Sequence, residues 1–173
     1  MPEDLETLLK DVANADRLPE AALRALVPHA GALSVRLEAL ARRRMEGEWL
    51  YPEEESLLFY GLFVLAAARA HDFWPTWREL LTGCADGLDG LFGDGAAMSV
   101  RGITLGLVAE DVASVADLAG GLEVSASVRS GLVTALARLT SEGRYPRHRF
   151  LDLIDALAAL EATARRRQGR SEA

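Results

Sequence analysis

Twelve consecutive residues, Leu57 to Ala68, carry no charge: LLFYGLFVLAAA. One residue before them, ahead of Ser56, stands Pro52-Glu53-Glu54-Glu55. Proline suits the first helical position, where its missing N–H costs nothing, and carboxylates in the first turn complement the positive end of the helix dipole. The segment therefore begins as a helix, and a helix that is apolar all round must be enclosed on every side. It is too short to span a bilayer, which takes roughly 18–20 apolar residues. Other elements of the chain have to surround it.

Those elements are expected to be helices. Of 173 residues, 29 are Ala and 29 are Leu, while the β-branched residues that favour strands are sparse. The length suits one domain with enough core to need no disulfide or metal staple. Single-residue signals then divide the chain. Leu5, Leu8, Leu9 and Val12 recur at helical spacing, and so do Leu23, Leu26 and Val27 after Pro19. Pro28 and Gly31 are expected to end that second helix. Leu33, Val35, Leu37 and Leu40 carry a third, closed by Arg42-Arg43-Arg44, with Gly47 as its stop. Pro75 opens a short helix through Trp77 and Leu81. Residues 83–95, with five glycines and three aspartates, read as a turn-rich stretch with room for a short helical turn inside it. Further helices are expected from Ala96 to Ala109 and from Val112 to Leu118. Another follows Ser125, a good N-cap, and the last begins at Pro146 with Phe150, Leu151, Ile154, Leu157 and Leu160 as its buried face. The Arg-rich residues 165–173 are expected to be a polar, disordered tail.

A weak internal repeat is present. Gly61 to Pro75 and Gly131 to Pro146 share one grammar of helix end, polar turn, aromatic and proline, with Trp74-Pro75 matching Tyr145-Pro146. Helix pairs repeating every few tens of residues mark an α-solenoid, in which each pair covers the apolar face of the next. The expectation is an all-α domain over residues 1–164, built of stacked antiparallel helix pairs as a HEAT-like α-solenoid.

The segments YGLFVLAAARAHDFWPTWREL, LFGDG and VRSGLVTALARLTSEGRYPR resemble an uncharacterised bacterial family of HEAT-like helical proteins, catalogued as a domain of unknown function. The resemblance spans about residues 15–163. It implies stacked helix pairs and neither a reaction nor catalytic residues. Some members of that family end in a Cys-rich SEC-C zinc motif. This chain has no Cys after Cys84, so that site does not carry over.

Sites of chemistry are scarce. His29, His71 and His148 fall on different helices with no metal-ligand spacing. Cys84 has no base near it in sequence to activate a thiolate. Asp86, Asp89 and Asp94 lie among glycines, but their spacing is not the alternating pattern of an EF-hand. They read as turn formers, with Asp94 as N-cap or near-cap of the helix from Ala96 and cation binding as the alternative. Trp74 and Trp77 flank Pro75 and read as elbow packing or as a recognition surface. No Gly-rich phosphate loop follows a strand, and no cofactor is expected.

Charge adds a direction. The net charge is −7, which argues against nucleic acid as partner. Residues 72–123 hold nine acids and two bases, whereas residues 138–173 hold five acids and eight bases. Such a dipolar chain could meet a basic partner or pair with a second copy as a homodimer. The sequence thus leads to a non-enzymatic protein–protein interaction module, bacterial and cytoplasmic, with no membrane association and no named partner. Its candidate contact residues are Trp74, Trp77, Asp86, Asp89 and Asp94. The alternatives are an acidic inhibitor or immunity-type protein for a basic partner, and a cation-dependent module or enzyme using loop 83–95.

Overall fold

The computed structural model describes residues 4–83 and 88–171, with side chains up to residue 163. Among them the fold is all helical, with no strand. The helices are α1 (Leu5–Ala13), α2 (Glu20–Leu26), α3 (Ala30–Met45), α4 (Pro52–Ala67), α5 (Trp74–Gly83), α6 (Asp89–Phe92), α7 (Ala96–Leu107), α8 (Val112–Gly120), α9 (Ala126–Ser141) and α10 (Arg147–Ser171).

As its composition requires, α4 is the centre. It packs against α1, α2, α3, α6 and α7, burying Leu58, Leu62, Val64 and Leu65. From it a row of contacts runs α3–α4–α7–α9, with α8 against α9 and α10 against both α8 and α9. A glycine sits at each crossing of that row. A Cβ added at Gly61 of α4 would stand 2.7 Å from Leu37 of α3. One at Gly106 of α7 would stand 2.6 Å from the Cα and Cβ of Ala66 in α4, and one at Gly131 of α9 2.6 Å from the Ala97 carbonyl oxygen of α7. At Gly106 and Gly131 the missing side chain lets two helix backbones approach, whereas at Gly61 it makes room for the Leu37 side chain.

Helix ends are closed by a common device. Gly47 after α3 and Gly143 after α9 adopt φ of 78° and 75°. Each turn sends N–H groups back to the last carbonyls: Glu48 N to Arg43 O at 2.9 Å and Arg144 N to Leu139 O at 2.9 Å. Left-handed φ at this position is what glycine supplies at no steric cost. After α4 the same job falls to Arg69, at φ 54°.

Two boundaries differ from the sequence expectation. Pro28 lies in a 3₁₀ turn, Val27–His29, that leads directly into α3, so Gly31 is helical and does not end anything. A proline is tolerated near a helix start, and here the turn supplies one. The helical turn that the Gly- and Asp-rich stretch had room for is α6: Leu88 just before it and Phe92 at its end are buried, and Phe92 lies 5.6 Å from Phe59 and 6.4 Å from Trp77, centroid to centroid. Residues 165–171, expected as a disordered tail, continue α10. Ala, Arg and Gln are strong helix formers, and cations suit a helix C-terminus.

Candidate functional site

Trp74 and Trp77 are core residues, which corrects their assignment as a contact surface. They are only 6 % and 0 % exposed. Three residues apart on α5, they point inward together with Leu80 and Leu81. The Trp77 indole N–H donates to the Thr104 hydroxyl of α7 at 3.1 Å, in a fully buried pair. The Trp74 indole donates to the Asp111 carboxylate at 3.1 Å, and Arg78 approaches the same oxygen at 3.4 Å. Hydrogen bonding from Ser114, then from Trp74, with the Arg78 charge behind it, holds the Asp111 carboxyl below its usual range. These contacts tie α5 to α7 and to the start of α8, so neither indole can meet a partner while the domain is folded.

Asp86 and Cys84 lie outside the described residues. Asp89 is the first residue of α6, and Asp94 sits in the 3₁₀ turn Gly93–Gly95; both are exposed. The residue that precedes α7 is Gly95, and Asp94 makes no capping bond to that helix. Among the described residues no three His, Cys, Asp or Glu side chains come close enough to hold a metal ion. His71 serves structure: its Nδ1 lies 2.9 Å from the Leu107 carbonyl at the end of α7. Arg144 reaches the next carbonyls, those of Val108 and Ala109, so the negative end of α7 is covered from two sides. Arg129 does the same for α8, donating to the Ala119 carbonyl at 3.1 Å and to that of Gly121.

Two surface features remain, and neither was among the sequence candidates. The first is a groove of about 780 Å³ between α9 and α10, floored by Val133, Ile154 and Leu157 and edged by Leu122, Leu160 and Thr134. Leu122 is 82 % exposed, and Leu151 and Leu160 are about half exposed at 50 % and 49 %. The stripe expected to be buried on α10 is therefore only partly covered. Phe150, Ile154 and Leu157 are half-buried, and Leu153 packs against the core near Gly120. No described helix follows α10 to cover the rest.

The second feature is the turn between α3 and α4, Glu46-Gly47-Glu48-Trp49-Leu50-Tyr51. Trp49 is 82 % exposed and Tyr51 65 %, whereas Leu50 between them is buried. Arg43 fixes this turn. Its guanidinium meets Glu54 at 2.6 Å and Glu48 at 2.9 Å, and donates to the Trp49 carbonyl at 3.4 Å. Glu54 also accepts from the Tyr51 backbone N–H at 2.9 Å, one arm of a capping box. The bond from Arg43, then that from Tyr51 N–H, holds the Glu54 carboxyl below its usual range. The signal in sequence was a tryptophan outside any helical stripe, between a C′ glycine and an N1 proline. Comparison with protein-family models, with curated proteins and with solved structures returns no match.

Proposed function

We propose that the chain is a non-enzymatic protein-interaction module whose contact face is the groove between α9 and α10. The observation that carries this reading is the groove itself. It is concave and apolar, and the helix that forms one wall keeps half of its leucine stripe in water. Exposed apolar patches of this kind mark interaction sites. We read the row α3–α4–α7–α9, with α8 and α10 laid on it, as a HEAT-like stack of the type found in the bacterial family the sequence resembles. The crossings at Gly106 and Gly131 support the stack, because both bring a helix close against the backbone of its neighbour in the row. The packing of α1 on α4 is an addition to that scheme. In a stack of this kind an uncovered flank is a surface on which partners can bind.

The test is affinity capture from native lysate with the wild-type chain and with Leu122→Asp/Leu160→Asp. Both side chains are exposed, so the double variant is expected to keep its melting temperature within about 1–2 °C. Loss of captured species from the variant supports the groove. An identical set of captured species from both proteins refutes it.

A further inference from the structure

We infer that the corner from Trp49 to Tyr60 binds an arginine side chain displayed by a partner protein. This surface is separate from the groove, and the inference does not depend on it. Beside the Trp49 turn lies a pocket of about 330 Å³, lined by Pro52, Glu55, Ser56, Phe59 and Tyr60 of α4, with Gly90 and Leu91 of α6 as its far wall. The Phe59 and Tyr60 rings stand edge to face, their centroids 5.0 Å apart. The pocket thus joins two aromatic rings to one carboxylate, and Glu55 remains about half exposed while Arg44 touches it at 3.4 Å.

Rings with a carboxylate suit a cation, and a planar one best. A guanidinium stacks on aromatic faces and also pairs with a carboxylate through two N–H groups, which an ammonium cannot do. In the turn that leads into Pro52, Tyr51 and Trp49 stand in solvent, and Glu46 and Glu53 on either side of them in sequence are exposed as well. Of the arginines that close α3, Arg43 is engaged with Glu48 and Glu54 and Arg44 with Glu55, while Arg42 is exposed. The aromatics are also held ready. The Arg43 clamp and the buried Leu50 fix the turn before any partner arrives, so binding orders little that is not already ordered. Trp and Tyr in such positions are the residue types that dominate interface energetics.

Acetyl-hexaarginine amide and acetyl-hexalysine amide carry equal charge and serve as probes. Binding is read by tryptophan fluorescence, because Trp49 is in solvent while Trp74 and Trp77 are buried. Hexaarginine is expected to bind at least about fivefold more tightly than hexalysine. Trp49→Ala and Glu55→Gln, read by calorimetry, are each expected to weaken hexaarginine at least about fivefold. Trp49→Ala should leave the melting temperature unchanged, and Leu122→Asp/Leu160→Asp should leave the affinity unchanged. Equal affinity for the two peptides would reduce the effect to the net charge of −7 and overturn the proposal. So would wild-type affinity in both Trp49→Ala and Glu55→Gln. A homodimer that Trp49→Ala dissolves would name a second copy as the occupant and overturn the assignment to a different protein.

Discussion

The glycine crossings make a sharp prediction, because α7 contains its own control. Gly102 and Gly106 lie on the same helix one turn apart. A Cβ at Gly102 would meet nothing within 4 Å. Gly102→Ala therefore gains only the helix propensity of alanine over glycine, about 0.5–1 kcal/mol. At Gly106 the same gain is opposed by overpacking. The new methyl would lie 2.6 Å from Ala66 Cα and Cβ, and closer still to the Ala66 carbonyl oxygen. These are backbone and near-backbone atoms of a buried helix, so no rotamer change can relieve the clash, and α4 and α7 must separate. Such overpacking costs typically about 1–3 kcal/mol, and rigid neighbours place it near the top. The net for Gly106→Ala is a loss of about 2 kcal/mol, roughly 3 kcal/mol below Gly102→Ala. In a domain of this size 1 kcal/mol moves the melting temperature by about 2–4 °C. Gly102→Ala should rise by about 2–3 °C and Gly106→Ala fall by about 4–8 °C in thermal scans by circular dichroism. If Gly106→Ala matches Gly102→Ala, the helices are not held together at that crossing and the row described above is wrong.

Three further perturbations follow from the same contacts. Thr104→Val keeps the shape of the buried side chain but leaves the Trp77 indole N–H without its acceptor, and should cost about 1–3 kcal/mol in urea unfolding while Thr104→Ser costs less. Arg69→Gly relieves a left-handed side-chain residue at the end of α4, and should raise stability by a few tenths to about 1 kcal/mol in the same assay after the entropy of the added glycine is set against it. The Glu54 and Asp111 carboxyls are both held below their usual values, so they bind protons more weakly folded than unfolded. Their stabilisation is complete above the ordinary carboxyl range and is lost as pH falls through the lower folded values. The melting temperature should be level above about pH 5 and drop below about pH 4, less steeply in Glu54→Gln.

Much of the fold was legible because helices announce themselves by period and by punctuation. The central place of α4 followed from its lack of any polar face, although Phe59 and Tyr60 stay only half-buried and line a surface pocket, and Ser125 caps α9 as expected, accepting from Val128 N at 3.3 Å. What sequence could not supply was tertiary cover. The α10 stripe has the same spacing whether or not a neighbour arrives to bury it, and in this fold half of it stays in water. The tryptophans show the same limit from the other side. Trp74 and Trp77 beside a proline read either as elbow packing or as a surface; their spacing of three is that of one helix face, and that face turns inward. Nothing in local sequence says that Thr104 and Asp111, some thirty residues on, stand ready to accept from the two indoles.

Trp49 makes the complementary point about how a fold presents a residue. An exposed tryptophan gains nothing from the core, and in a loose loop it would collapse onto the nearest apolar surface. Here the chain cannot yield. Leu50 is pinned in the core on one side of the turn, Gly47 fixes the exit from α3, and Arg43 holds carboxylates before and after the aromatic pair. Removing the clamp with Arg43→Gln should therefore free the turn without touching Trp49 itself. In iodide-quenching measurements the emission of Trp49 should shift toward a shielded environment, and hexaarginine affinity should fall although every pocket residue is retained. A variant with unchanged quenching and unchanged affinity would show that the aromatic corner is held out by Leu50 and Gly47 alone, and that Arg43 serves the junction of α3 and α4 only.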